Sequence, residues 1–206
     1  MIHGVSHYLL RKLLVRPSKR KHKPSPVMML AESFLPWLAQ QPADADGRRE
    51  LVWAEVVTRP DHGADHARAR AHVADCLAQA LAAAGVKADV HTDGTLIRID
   101  DLHVWAPDVV VRFGTPLPPD VPACDDPVII AEILPAGTPR KDMQERAAFY
   151  FQVASLRHYL ILRLDDPVVI HHGRQDDMVQ ARMVRDDTLY LDPPGVKLGD
   201  PRWPPR

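Results

Sequence analysis

The sequence predicts an α/β protein: a mixed central β-sheet flanked by helices. Three observations carry that expectation: a long alanine-rich helical stretch, a series of short Val/Ile-rich runs bounded by proline and glycine, and a second helical stretch among them. Two of the apolar runs contain an acid. Residues 107–111 read PDVVV and residues 127–134 read PVIIAEIL. Such runs are signatures of buried strands, where an ionised carboxylate is costly unless a cation receives it.

Taken in order, residues 1–28 join a short apolar patch to the block RPSKRKHKPSP. This predicts a disordered basic leader, or a product of a start codon upstream of Met28 or Met29; a nucleic-acid-binding arm is the competing reading. A domain is expected over residues 29–191. Residues 30–40 form a short helix interrupted by Pro36, and residues 49–58 (RELVWAEVVT) a strand. A long helix spans 64–84 with Val73, Leu77 and Leu81 on one stripe, and Gly85 stops it. Strands follow at 86–91, 95–99 and 107–113, with Asp93-Gly94 as a hairpin turn between the first two. After the PVIIAEIL strand, residues 139–153 predict a second helix capped by Thr138, with Ala147, Tyr150 and Phe151 as its apolar contacts. Strands at 158–164 and 168–171 close the pattern, split by Asp165-Asp166-Pro167 and ending near His171-His172. Residues 192–206 are proline-rich and read as a tail.

Composition bounds the function. With 206 residues the chain suits one domain, and a net charge of −1 with pI about 6.8 gives no global basic field for nucleic acid, which leaves local patches. Cys76 and Cys124 lie far apart without metal-ligand spacing, which predicts a reducing cytosol and no structural zinc. No apolar stretch approaches the ~20 residues of a membrane span. A cytoplasmic protein without a membrane partner is expected.

Strand alternation places Glu132 with Val128, Ile130 and Leu134, and turns Ile129, Ala131 and Ile133 the other way. If the two acidic strands are neighbours, Asp108 and Glu132 converge, and a shared proton or a divalent cation relieves their repulsion. The plainer readings are a turn residue for Asp108 and an arginine ion pair for Glu132.

The succession RRELVWAEVV, His66 at a helix start, APDVVV, PVIIAEIL, TPRKDMQERAAFY and SLRHYLIL resembles the Uma-two family of restriction endonucleases, over about residues 47–173. That family belongs to the PD-(D/E)xK, restriction-endonuclease-like superfamily. The resemblance implies that fold, phosphodiester hydrolysis of nucleic acid, DNA above all, and a Mg²⁺ or Mn²⁺ ion on Asp108, Glu132 and the Ile133 backbone carbonyl. Such hard cations take oxygen ligands and lower the pKa of an attacking water. The oligomeric state stays open, a homodimer being one expectation.

The chain departs from the pattern at Leu134, where the superfamily has its lysine. The family's helix lysine matches Arg146, and its Ser-Pro-Ser is replaced by Pro135, Ala136 and Gly137. Arginine holds an anion but is a poor proton acceptor. Lys141 is an alternative cation, although five residues earlier puts it about 500° around the helix. Without the resemblance Arg146 reads as an i, i+4 partner of Asp142. A binding module that keeps the fold without cutting is therefore the rival to an enzyme. His62 and His66 lack the glutamate of a zinc motif, Glu55 reads as solvent-facing, and Tyr150 and Tyr159 read as core.

Overall fold

In the computed structural model of the chain, the described residues are 27–42, 47–59, 63–92, 94–118, 123–135, 137–166, 168–185 and 188–202. Most of the basic leader, His62, Asp93, Ala136, Pro167 and residues 203–206 lie outside them.

Helix α1 (Ala31–Ala39) contains Pro36 and buries Ala31 and Phe34. The segment expected as one strand is a hairpin, β1 (Arg48–Val52) and β2 (Glu55–Arg59), paired antiparallel with Val52 opposite Glu55. Its two-residue turn, Trp53-Ala54, carries none of the Asn or Gly that mark such turns. Helix α2 (Ala64–Ala83) buries Val73, Leu77 and Leu81 as the periodicity predicts, together with His66, Ala69 and Ala74. Beyond it Gly85 takes φ 69, a left-handed stop that glycine accepts without a Cβ clash.

Five strands follow: β3 (Ala88–Thr92), β4 (Leu96–Arg98), β5 (Val104–Trp105), β6 (Val109–Phe113) and β7 (Ala123–Cys124). The expected β3–β4 hairpin is not formed. β3 pairs with β6, whereas β4 pairs with β5 and β7, because apolar faces on both strands go to different cores. The acidic strand is β8 (Ile129–Leu134), and helix α3 (Arg140–Tyr150) comes next. Pro139 rather than Thr138 holds the N-cap position, and the Thr138 hydroxyl donates to the Pro135 carbonyl at 2.9 Å.

The remaining strands are β9 (His158–Arg163), β10 (Val169–Gln175), β11 (Met178–Val184), β12 (Leu189–Leu191) and β13 (Val196–Leu198). His171 and His172 lie inside β10 rather than at its end. The proline-rich stretch read as a tail contributes β13, whose Val196 and Leu198 are buried.

The mixed α/β class is present, its strands divided into a five-stranded sheet β2-β1-β5-β4-β7, a six-stranded sheet β11-β10-β9-β8-β6-β3, and the β12-β13 pair. β8 pairs antiparallel with β6 and parallel with β9, so it is central and covered on both faces. Ile129, Ala131 and Ile133 pack with the α2 side; Ile130 and Leu134 pack with Met143, Ala147 and Tyr150 of α3. A third cluster joins α1 to the smaller sheet. Among the described residues, no helix is long and apolar enough to cross a membrane.

Near β13 the histidines form a directed chain. His158 Nε2 meets the Pro193 carbonyl at 2.9 Å, so this nitrogen carries the proton and Nδ1 accepts from His171 Nε2 at 3.0 Å. His171 Nδ1 in turn accepts from Arg182 Nε at 3.2 Å. Burial pushes the imidazoles of His158, His171 and His172 below their ordinary value, and for His171 the neighbouring His158 and Arg182 add to it, down to about 3. The unfolded chain therefore binds more protons than the folded one between pH 6.5 and about 3. Stability should fall as pH drops through that window, and His171→Gln should flatten the fall. Melting temperatures at pH 7.5 and 5 test this; equal acid sensitivity in wild type and variant would contradict it.

Candidate functional site

The β6–β8 register brings the two sequence-identified acids together. Val109 pairs with Ala131 at the end of the ladder, and just beyond it Asp108 Oδ2 accepts the Ile133 N–H at 2.8 Å. A side chain thus completes the ladder where the backbone of β6 turns away. Both acids open into one cleft of about 250 Å³, which Glu50, Ile133, Arg48, Arg59 and Arg146 also line.

Each acid is neutralised differently. Asp108 is 4% exposed. Arg48 Nη1 donates to its Oδ1 at 3.0 Å and to the Ala106 carbonyl at 3.2 Å. His66, from the first turn of α2, places Nε2 3.0 Å from the Ile133 carbonyl and 3.3 Å from Asp108 Oδ2. A carbonyl only accepts, so Nε2 carries the hydrogen. Burial alone would raise the Asp108 carboxyl; His66, Arg48 and the Ile133 N–H outweigh it and hold the group below the usual carboxylate range.

Glu132 is 3% exposed. Arg146 of α3 reaches its Oε1 at 2.5 Å, where the Tyr150 hydroxyl also donates at 2.6 Å; Tyr159 donates to Oε2 at 3.2 Å. Both phenols are fully buried, and burial first, then the Glu132 charge, pushes them well above the usual tyrosine value. They stay protonated and remain donors. Burial would lower the Arg146 guanidinium, but Glu132, Tyr150 and Glu50 outweigh it and hold it above its ordinary value. Its guanidinium also lies over the Trp105 ring, 4.6 Å from the centroid.

Glu50 was not singled out from the sequence. It is 3% exposed, accepts from Arg59 Nε at 2.9 Å and from the Ala106 N–H at 3.1 Å, and lies 3.8 Å from Arg146. The signal was an acid beside apolar Leu51 and Val52, the same pattern that exposed Glu132. Glu55, read as solvent-facing, is indeed exposed on β2. Lys141 is exposed on α3 and does not line the cleft, whereas Arg146 does. Arg146 pairs across the fold with Glu132 rather than along its helix with Asp142.

The donor set suits a hard divalent cation: carboxylates of Asp108 and Glu132 and the Ile133 carbonyl are all oxygen ligands. Among the described residues no group of three or more His, Cys, Asp or Glu side chains is arranged to hold an ion. Waters would have to complete the shell, and the ion would compete with Arg48 and Arg146 for the same oxygens.

A sequence model of the family described as "Uma2: Putative restriction endonuclease" matches residues 31–199. No curated protein sequence matches the chain. A solved structure with the same fold is "a putative nuclease belonging to DUF820 from Anabaena variabilis ATCC 29413", at TM-score 0.60 and 11% identity, covering 77% of this chain and 89% of that one.

The buried Glu132–Arg146 pair gives a stability test. Arg146→Met strands the carboxylate, and urea denaturation should show a loss of about 3 kcal/mol. Adding Glu132→Gln should recover most of it. Additive losses in the double variant would show that the two groups are energetically independent.

Proposed function

Because the chain belongs to the Uma2 family, we propose that the Asp108/Glu132 cleft hydrolyses phosphodiester bonds in nucleic acid with the help of Mg²⁺ or Mn²⁺. The observation that carries this reading is the opening of two carboxylates, one just before β6 and one within β8, into a single cleft beside three arginines. Three acids and three guanidiniums line it, so their formal charges cancel and a phosphodiester anion meets no excess positive charge. A divalent ion on Asp108, Glu132 and the Ile133 carbonyl would add that charge and acidify a bound water. Arg48 and Arg146, relieved of the carboxylates they now neutralise, then hold phosphate oxygens. His66, in contact with Asp108, orients that carboxylate through its hydrogen-bonded imidazole. DNA in the cytoplasm is the substrate we favour.

A binding role without cleavage is supported by one specific feature. Arg146 stands where the family pattern has lysine, and among the described residues that line the cleft there is no lysine. Arginine does not act as a proton acceptor near neutral pH. Water activation would rest on the ion, which predicts slow turnover.

Purified protein with Mn²⁺ should nick supercoiled DNA weakly, Glu132→Ala should abolish the nicking, and Arg146→Lys should enhance it. If wild type and Arg146→Lys both leave DNA and RNA intact yet bind either with salt-dependent affinity, the binding role replaces the enzyme.

A further inference from the structure

The β1–β2 turn holds a tryptophan in a conformation that its sequence does not favour. Trp53 has φ 55 and Ala54 φ 62, so both central residues of the two-residue turn are left-handed. Such turns are met with Asn-Gly, because a Cβ in that region crowds the following carbonyl oxygen. The turn is fixed nonetheless. Ala54 N–H donates to the Leu102 carbonyl at 2.9 Å, and the Ala54 carbonyl accepts from Met29 N–H at 2.8 Å.

Its consequence is a large aromatic ring presented at the surface on a rigid mount. Trp53 is 42% exposed, its ring near-perpendicular to those of His103 and Phe149 at centroid distances of 4.6 Å and 5.6 Å. Phe149 continues to Trp105 at 5.4 Å, and Trp105 carries the Arg146 guanidinium. An aromatic row thus runs from the exposed turn to the cation that touches Glu132.

Beside this row lies a second cleft of about 320 Å³, with Trp53, Trp105 and Phe149 on its apolar side. It shares Arg59, Leu134 and Arg146 with the acidic cleft, so the two lie side by side. Asp142 and Glu145 also line it. Their carboxylates repel phosphate and accept hydrogen bonds from N–H groups. A ligand that suits these walls is planar and uncharged, carries N–H donors along its edge, and hangs from a phosphate held at the arginine end.

We infer that this cleft is a subsite for an unpaired nucleobase next to the phosphate in the acidic cleft, with Trp53 as its stacking platform. The inference rests on the phosphodiester reading and narrows it. A base inside a duplex has both faces stacked and its edge paired, so the subsite takes bases from single strands or from opened duplex. The strain at Trp53 fits a residue kept for what its ring contacts.

Full-length protein in Ca²⁺ buffer, titrated into three fluorescent probes by anisotropy, tests this. The probes are a single-stranded DNA 12-mer, the same strand with abasic sites, and its duplex. Wild type should bind the single strand most tightly. Trp53→Ala should weaken that binding roughly ten-fold, the order of loss expected for one stacked base, and leave the abasic strand unchanged. Trp53→Asn, a residue that such turns favour, should behave like Trp53→Ala and guards against a misfolded turn. Trp53→Phe should retain most of the affinity. Unchanged single-strand affinity in Trp53→Asn, or equal losses on all three probes, would overturn the subsite while leaving the phosphodiester reading in place. If wild type binds none of the probes, that reading fails and the subsite fails with it.

Discussion

A carboxylate in the middle of a central strand has to be neutralised, and much of the structure around Glu132 answers that need. β8 is covered on both faces, so solvent cannot supply the compensation. The fold supplies it from two elements: α3 brings Arg146 and Tyr150, and β9 brings Tyr159. These contacts fix how α3 lies against the sheet. Met143, Ala147 and Tyr150 form its buried face, and Arg146 is the polar member that turns into the cleft. Were α3 rotated by one residue, Glu132 would lose its cation and the apolar face would lose its partner.

Asp108 solves the same problem with other means. It sits at the end of a strand, where it can take a backbone N–H from Ile133 and the side chains of Arg48 and His66. The two acids therefore differ in what binding an ion would require. Each would exchange an arginine for the ion, but Glu132 keeps its two tyrosine hydroxyls and Asp108 keeps its backbone donor. With both carboxylates already balanced by arginines, neither acid is left as an uncompensated buried charge.

Glu132 stood out in the sequence because an acid inside a Val/Ile-rich run violates the pattern that surrounds it, and Asp108 because it opens a second such run. The α2 stripe was legible for the opposite reason: Val73, Leu77 and Leu81 follow helical spacing without interruption. Glu50 was hidden by the turn at Trp53-Ala54. With no Gly, Asn or Pro there, residues 49–58 read as one strand, and Glu50 was not set apart from Glu55. β5 and β7, two residues each, are shorter than any periodicity can show. β13 was concealed by prolines, although Val196 and Leu198 are spaced for one buried strand face. Sequence spacing placed Arg146 correctly on α3 but could not choose between Asp142 on its own helix and Glu132 across the fold.

If Asp108 and Glu132 share one cation, anomalous diffraction from crystals soaked in Mn²⁺ locates it. A single Mn²⁺ peak should then lie in the acidic cleft with oxygens of both carboxylates at about 2.0–2.6 Å, and with the Arg146 guanidinium displaced from Glu132. A cleft without a peak at millimolar Mn²⁺, with the Arg146–Glu132 contact intact, would contradict it.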